Sequence, residues 1–476
     1  MSLTLMPYPK YKSSALKSLG QIPSHWSELR AKYLFREVDD RSVTGTEEML
    51  SVSHITGVTP RSEKNVTMFL AESNVGHKCC REKDLVINTM WAWMGALGVS
   101  RYSGLVSPSY GVYRPFDDRI DPPFLDALLR TSSYVGEYTA RSTGVNSSRL
   151  RLYPDRFLSL PVLLPPTDEQ IQISSFIRRV SVQIQMLIRA KRRVIELLNE
   201  QKQVIIQRAF EEGIDPDVDR KTSHIWWLPE IPAHWNMLRL KDVMREPLTN
   251  GLFKRSDAFG AGVKLINVGD IFSETLRITP GSLDRVQASP DEIERFRAIA
   301  GDIFFVRSSL KLEGTGRCAY LEDSAEDTVF ECHVVRCRSN RALIYPLFLT
   351  VWLNSWTGRH LLISRANTVT MSTLPQGAID SIPVPVPPLS EQLLILEHLD
   401  VSLRPIMTAL TSASREIDLL REYRMRLIAD VVTGRLDVRR VASPELNDVE
   451  DVADVEVEEL EDSEEAVAVE ENTDAD

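Results

Sequence analysis

The chain has 476 residues, of which 26% are charged and 43% hydrophobic, with 22 Gly and 26 Pro. That length accommodates about two to four domains, and the composition excludes a collagen-like or wholly low-complexity chain. The formal charge of −11 is unevenly spread: Pro444 to Asp476 holds 16 acidic residues and no Lys or Arg, leaving 56 basic against 51 acidic groups before it. A mildly basic body with an acidic tail permits nucleic-acid binding without requiring it.

No apolar run reaches the ~18 residues of a membrane span, and the N-terminus, broken by Pro7 and Pro9, shows no signal-peptide core. The five cysteines form no CxxC pair, which is the usage expected of a reducing, cytoplasmic setting without a disulfide framework. Cys318, Cys332, His333 and Cys337 superficially resemble a metal cluster, but their spacing fits no common zinc template and their neighbours read as a β-strand.

In chain order, an N-terminal segment (1–26) ends in IPSHW, Ile22 to Trp26. The same motif returns as IPAHW, Ile231 to Trp235, with Lys12, Ser14 and Leu19 answered by Lys221, Ser223 and Leu228. A second block, LPVLLPPTDEQ from Leu160, returns as IPVPVPPLSEQ from Ile382, identical at six of eleven positions. Two matched blocks in one order describe a tandem duplication.

The interiors, 27–160 and 236–381, diverge but keep one rhythm of short β-branched and aromatic runs, then a helix, then a Ser/Thr/Asn-rich loop. Both are expected to be α+β domains. Each PP-x-x-EQ block runs into a long apolar stripe, within 161–213 and 382–440, with Gly213 and Gly434 as stops. A helix of ~44 residues spans about 66 Å. Two of them are expected to pair as an antiparallel coiled coil, with Pro405 bending or restarting the second. Residues 214–235 link the halves, and 441–476 form a tail expected to be disordered.

The order IP-x-HW, variable domain, P-x-PP-x-x-EQ, long helix, repeated from residue 8 to 440, resembles the specificity (S) subunit of type I restriction-modification systems. The resemblance implies two tandem target recognition domains in a pseudo-twofold repeat, each reading half of a bipartite double-stranded DNA site. The helices would set the spacing and dock two methyltransferase subunits, with restriction subunits completing the complex. S-adenosylmethionine, ATP and Mg would then belong to the partners, with no cofactor and no catalysis in this chain. The resemblance also marks Pro165, Pro166, Glu169, Gln170, Pro387, Pro388, Glu391 and Gln392 as partner-docking residues. Pro405 and the acidic tail depart from the pattern.

DNA contacts need cations for phosphate and forked side chains for base edges. The first domain offers Asn88, Thr89, Trp91 and Arg101, then Arg141, Asn146 and Arg149 in a late loop; the second offers Lys254, Arg255, Arg307, Ser308, Lys311 and Arg317, then Arg365 and Asn367. Surface loops are rich in such residues whatever their role. Two rival functions remain. DPPF, Asp121 to Phe124, matches the motif of adenine-N6 DNA methyltransferases, but it also reads as a helix start with Asp as cap and Pro at the first position. A helical protein-binding scaffold is the other. No Walker or HExxH motif is present.

Overall fold

Residues 5–440 are described by this computed structural model, except 64–72, 145–149, 216, 227, 324–325, 369–370 and the Ser256 side chain. The chain divides into two units, one formed by residues up to Lys191 together with those from Arg415, the other by Arg192–Ser414. Both mix helix and strand.

In the first unit Ser27–Arg30 pairs antiparallel with Pro161–Leu164, so the strand after IPSHW lies beside the strand before PPTDEQ. The interior domain thereby starts and ends at one place. Its main sheet runs in the order Phe35–Val38, Gly111–Pro115, Leu85–Ile87, Leu97–Val99. The second unit repeats this plan. Asn236–Arg239 pairs with Pro383–Val386, and its main sheet runs Thr249–Asn250, Val334–Arg338, Asp302–Val306, Cys318–Leu321, with Arg277–Ile278 added at the far edge.

One device recurs inside both sheets. Asp84 stands opposite Arg114 across the strand pair and is 1% exposed. Its carboxylate takes the guanidinium fork at 2.9 and 2.8 Å. Asp302, also 1% exposed, takes Arg338 at 2.7 and 2.8 Å. Two parallel charge-assisted bonds fix the register as well as the distance. A loop amide closes each carboxylate, Arg81 N–H on Asp84 and Ile299 N–H on Asp302, both at 2.9 Å.

The two long helices span Thr167–Glu212 and Leu389–Val432. The stops at Gly213 and Gly434 adopt φ of 71° and 78°, the left-handed conformation that ends helices and that glycine adopts without strain. Pro405 neither ends nor restarts its helix, which is continuous through it. The apolar stripe is only partly buried. Ile173, Phe176, Val180, Ile184 and Ile188 are buried, and so are Leu399, Ile406, Ala413, Ile417, Leu427 and Val431, but Leu187 and Val194 are exposed. Within the first unit Lys191 meets Glu416 at 2.7 Å, joining the two helices there. No helix among the described residues is long and apolar enough to cross a membrane.

Candidate nucleic-acid interface

The matched blocks meet in space. Glu169 of the first EQ pair is buried and takes the Trp26 indole N–H (3.0 Å) and the Tyr8 hydroxyl (2.7 Å), with His25 Nε2 at 2.8 Å. Glu391 of the second takes the Trp235 indole N–H (3.1 Å), with His234 Nε2 at 2.7 Å. Both tryptophans are fully buried, so each hides its ring while its polar edge finds a partner. Lys12 and Lys221 donate to the carbonyls of Trp26 and Trp235. Burial, then the bond to Glu169, pushes the Tyr8 phenol well above its ordinary pKa.

The glutamines are equally committed. Gln170 accepts from Asp121 N–H (2.8 Å) and donates to the carbonyls of Arg119 and Pro165. Gln392 accepts from Tyr345 N–H (2.9 Å) and donates to Leu343 and Pro387. Each glutamine pins the start of a helix of its own domain, Pro122–Leu129 or Pro346–Asn354. The side chains of Glu169, Gln170 and Gln392 thus face inward. Pro165 and Pro387 are buried, Pro166 and Pro388 exposed, and Glu391 half-buried.

DPPF is such a helix start. Asp121 caps it by accepting Phe124 N–H (3.1 Å), with Pro at the first position. Ser174 binds the same carboxylate oxygen. Phe124 is fully buried, edge-on to Trp26.

The candidate reading loops occupy equivalent places. Both hairpins join the clamped strand to its neighbour, residues 88–96 between Leu85–Ile87 and Leu97–Val99, and 307–317 between Asp302–Val306 and Cys318–Leu321. Each late loop returns to its hairpin through one equivalent bond, Leu152 N–H to Thr89 O and Leu374 N–H to Arg307 O, both 2.9 Å. In the second unit Ser308–Ser309 also pairs with Ser372–Thr373, which pairs with Asn367–Thr368.

The individual residues sort unevenly. Asn88 and Thr89 are buried and bonded to Tyr110 and to the Ser109 carbonyl, which leaves Met90 and Trp91 exposed at the tip. Arg101 is exposed. Arg141 is held by Glu137 at 3.2 Å, while Asn146 and Arg149 lie outside the described residues. Lys254 is paired to Glu292 at 2.9 Å, and Arg365 donates to the Leu361 carbonyl. Arg255 and Asn367 are exposed.

The second hairpin is different. Among the described residues Arg307, Lys311, Arg317 and Arg359 form no salt bridge. Arg359 lies beneath the hairpin and donates to the Glu313 carbonyl at 2.7 Å. Burial lowers its pKa to about 10, and Arg317 adds to that effect. Lys202, on the first long helix, is likewise lowered by burial, with Glu274 opposing the shift and Arg317 adding to it. Arg307, Lys311, Arg317 and Arg359, without a salt bridge among the described residues, create a positive field that an anion relieves. Arg359 and Lys202 escaped sequence reasoning because neither belongs to a loop or to a motif.

Cys318 and Cys337 are buried within the sheet, and burial pushes the Cys318 thiol up to about 12. Among the described residues no three His, Cys, Asp or Glu side chains converge as a metal site.

No protein-family model matches the chain. It is similar to the MjaVIII type I restriction enzyme specificity subunit of Methanocaldococcus jannaschii, 24% identical over 60% of this chain and 64% of that protein. The match therefore spans just under two thirds of that relative's length. It is also similar to the EcoKI specificity subunit of Escherichia coli K12, 20% identical over 71% of this chain and 70% of that protein. Among solved structures, a chain from a type I R-M system shares the fold at a TM-score of 0.54 and 16% identity, covering 86% of this chain and 98% of that one. The HsdS subunit of Thermoanaerobacter tengcongensis aligns at 0.42 and 16% identity, over 87% and 97%.

Proposed function

We propose that this chain, whose curated homologues are specificity subunits of type I restriction enzymes, is a DNA sequence-specificity subunit reading a bipartite site. One observation carries the reading. Each unit joins its hairpin to its late loop by the same bond, on a frame repeated down to its buried Asp–Arg clamp. A frame kept twice beneath surfaces that differ suits one task performed on two targets.

In this reading the second unit binds through Arg307, Ser308, Lys311 and Arg317, with Asn367 beside them and the exposed Arg255 as a further candidate. The first binds through Trp91, Arg101 and its late loop. Phosphate contacts supply the salt-sensitive part of affinity and base contacts the preference. The long helices act as a coiled-coil spacer, holding the half-sites about one duplex turn apart, ~34 Å. Two methyltransferase subunits dock on surfaces built by the IP-x-HW and PP-x-x-EQ blocks. Restriction subunits join them, and S-adenosylmethionine, ATP and Mg are used by those partners.

A self-contained methyltransferase working through DPPF is disfavoured by the engagement of Asp121 with Phe124 N–H and Ser174, and by the burial of Phe124. The test is the genome-wide adenine methylation pattern of the host with and without the gene. Loss of one bipartite motif is expected. An unchanged pattern in a host whose methyltransferase subunit is active would refute the assignment.

A further inference from the structure

Beside the cations of the second hairpin, which form no salt bridge among the described residues, lies an apolar surface that the core does not use. Leu310 is 80% exposed, immediately after Ser308–Ser309. With Phe272, itself 48% exposed, and Met371 it lines an open cleft of about 570 Å³, whose lining also includes Ser308, Lys311, Arg317, Glu313 and His333. A leucine left in water beside three potential cations is poorly placed for stability, since burial of such a side chain is what favours folding.

Duplex DNA satisfies both halves of this cleft. Cations and hydroxyls suit phosphate and the guanine edge, while in the major groove only thymine presents an aliphatic group, its C5-methyl. Glu313, at the rim, is an acceptor suited to the cytosine amino group. Resting on the DNA-specificity reading, we infer that Leu310 is a specificity-determining residue. Its side chain, backed by Phe272 and Met371, packs on a thymine methyl in the half-site read by the second unit.

The experiment uses the full chain purified with its methyltransferase subunits and duplexes carrying the motif found by methylation mapping. Thymines of both half-sites are replaced one at a time by deoxyuridine, which removes only the methyl. One position, in one half-site, is expected to weaken binding about fourfold, the worth of one buried methyl. Leu310→Ala is expected to lose the same factor on the thymine duplex and to stop distinguishing thymine from deoxyuridine. An unaltered circular dichroism spectrum and an unaltered loss of binding when base pairs of the other half-site are changed show that this variant is folded.

A half-site of the second unit without thymine, or wild-type binding indifferent to every deoxyuridine, overturns the role of Leu310 and leaves the DNA reading intact. So does a Leu310→Ala complex that still distinguishes the two bases. Wild-type binding with no preference for the motif over random duplex overturns the DNA reading itself.

Discussion

The hairpin of the first unit turns with Met90 and Trp91 exposed above a buried Asn88 and Thr89; that of the second turns with Leu310 and Lys311 exposed above a buried Thr315. A few residues below, the two units are nearly superposable in chemistry. Asp84–Arg114 and Asp302–Arg338 hold adjacent strands by the same fork, and Glu169 and Glu391 gather the same His–Trp pair. The difference shows how variation is tolerated. Register is fixed at the base of each hairpin by a buried ion pair, so residues at the tip change without moving the sheet.

The largest test of this contrast removes a clamp. Asp302→Ala leaves the mostly buried Arg338 guanidinium with Glu246, at 3.0 Å, as its remaining carboxylate and should cost about 1–3 kcal/mol. Asp84→Ala should cost as much, both read by urea titration. A loss below about 1 kcal/mol in either would mean that the strands hold register without it.

Changes at the tips should act on DNA instead. Arg317→Ala and Lys311→Ala are each expected to lower affinity by about 1–3 kcal/mol if they contact bases, or to reduce the salt slope by about 1 if they contact phosphate. Lys254→Ala, whose charge Glu292 already neutralises, should change the slope less than either.

A finer comparison sets the two glutamates against each other. Glu169 has one donor more than Glu391, the Tyr8 hydroxyl, so Glu169→Ala should exceed Glu391→Ala by about 1–2 kcal/mol. The same hydroxyl carries a pH signature. Its folded pKa is raised above its ordinary 10.0, so its contribution is complete below that value and is lost as pH rises beyond it. Tyr8→Phe should flatten the alkaline side of the stability profile. Last, Asn88→Ala should cost about 1 kcal/mol through its bond to Tyr110 and leave the recognised motif unchanged. A changed motif would move Asn88 from support to reading.

The repeat was legible because the packing constraints on Trp, Gln and Glu tolerate few substitutes, so IP-x-HW and PP-x-x-EQ survive in both halves. His25 and His234 of the two motifs each meet a glutamate beside a buried tryptophan. The helix-start reading of DPPF matches its cap. The Asp–Arg clamps were invisible, since which Arg opposes which Asp depends on strand register rather than on spacing along the chain. Asn88 and Thr89 were singled out for residue type alone, and type does not distinguish a side chain bonded beneath a turn from one exposed on it. Leu187 and Val194 fit the helical period but not its buried face, because the period does not say how wide the covered stripe is.

The construction of the first unit has a consequence for biosynthesis. Its Tyr11 hydroxyl donates to the Arg435 carbonyl, Asp437 N–H bonds the Met6 carbonyl at 2.8 Å, and Arg439 stands over the Tyr8 ring. Residues 192–414, by contrast, are contiguous. On the ribosome the second unit has all its parts in hand first, while the first unit, though translated earlier, waits for residues some 430 positions downstream. A message cut short after residue 414 would therefore yield a finished second unit and an open first one, so a nascent chain advertises its own incompleteness at the end synthesised first.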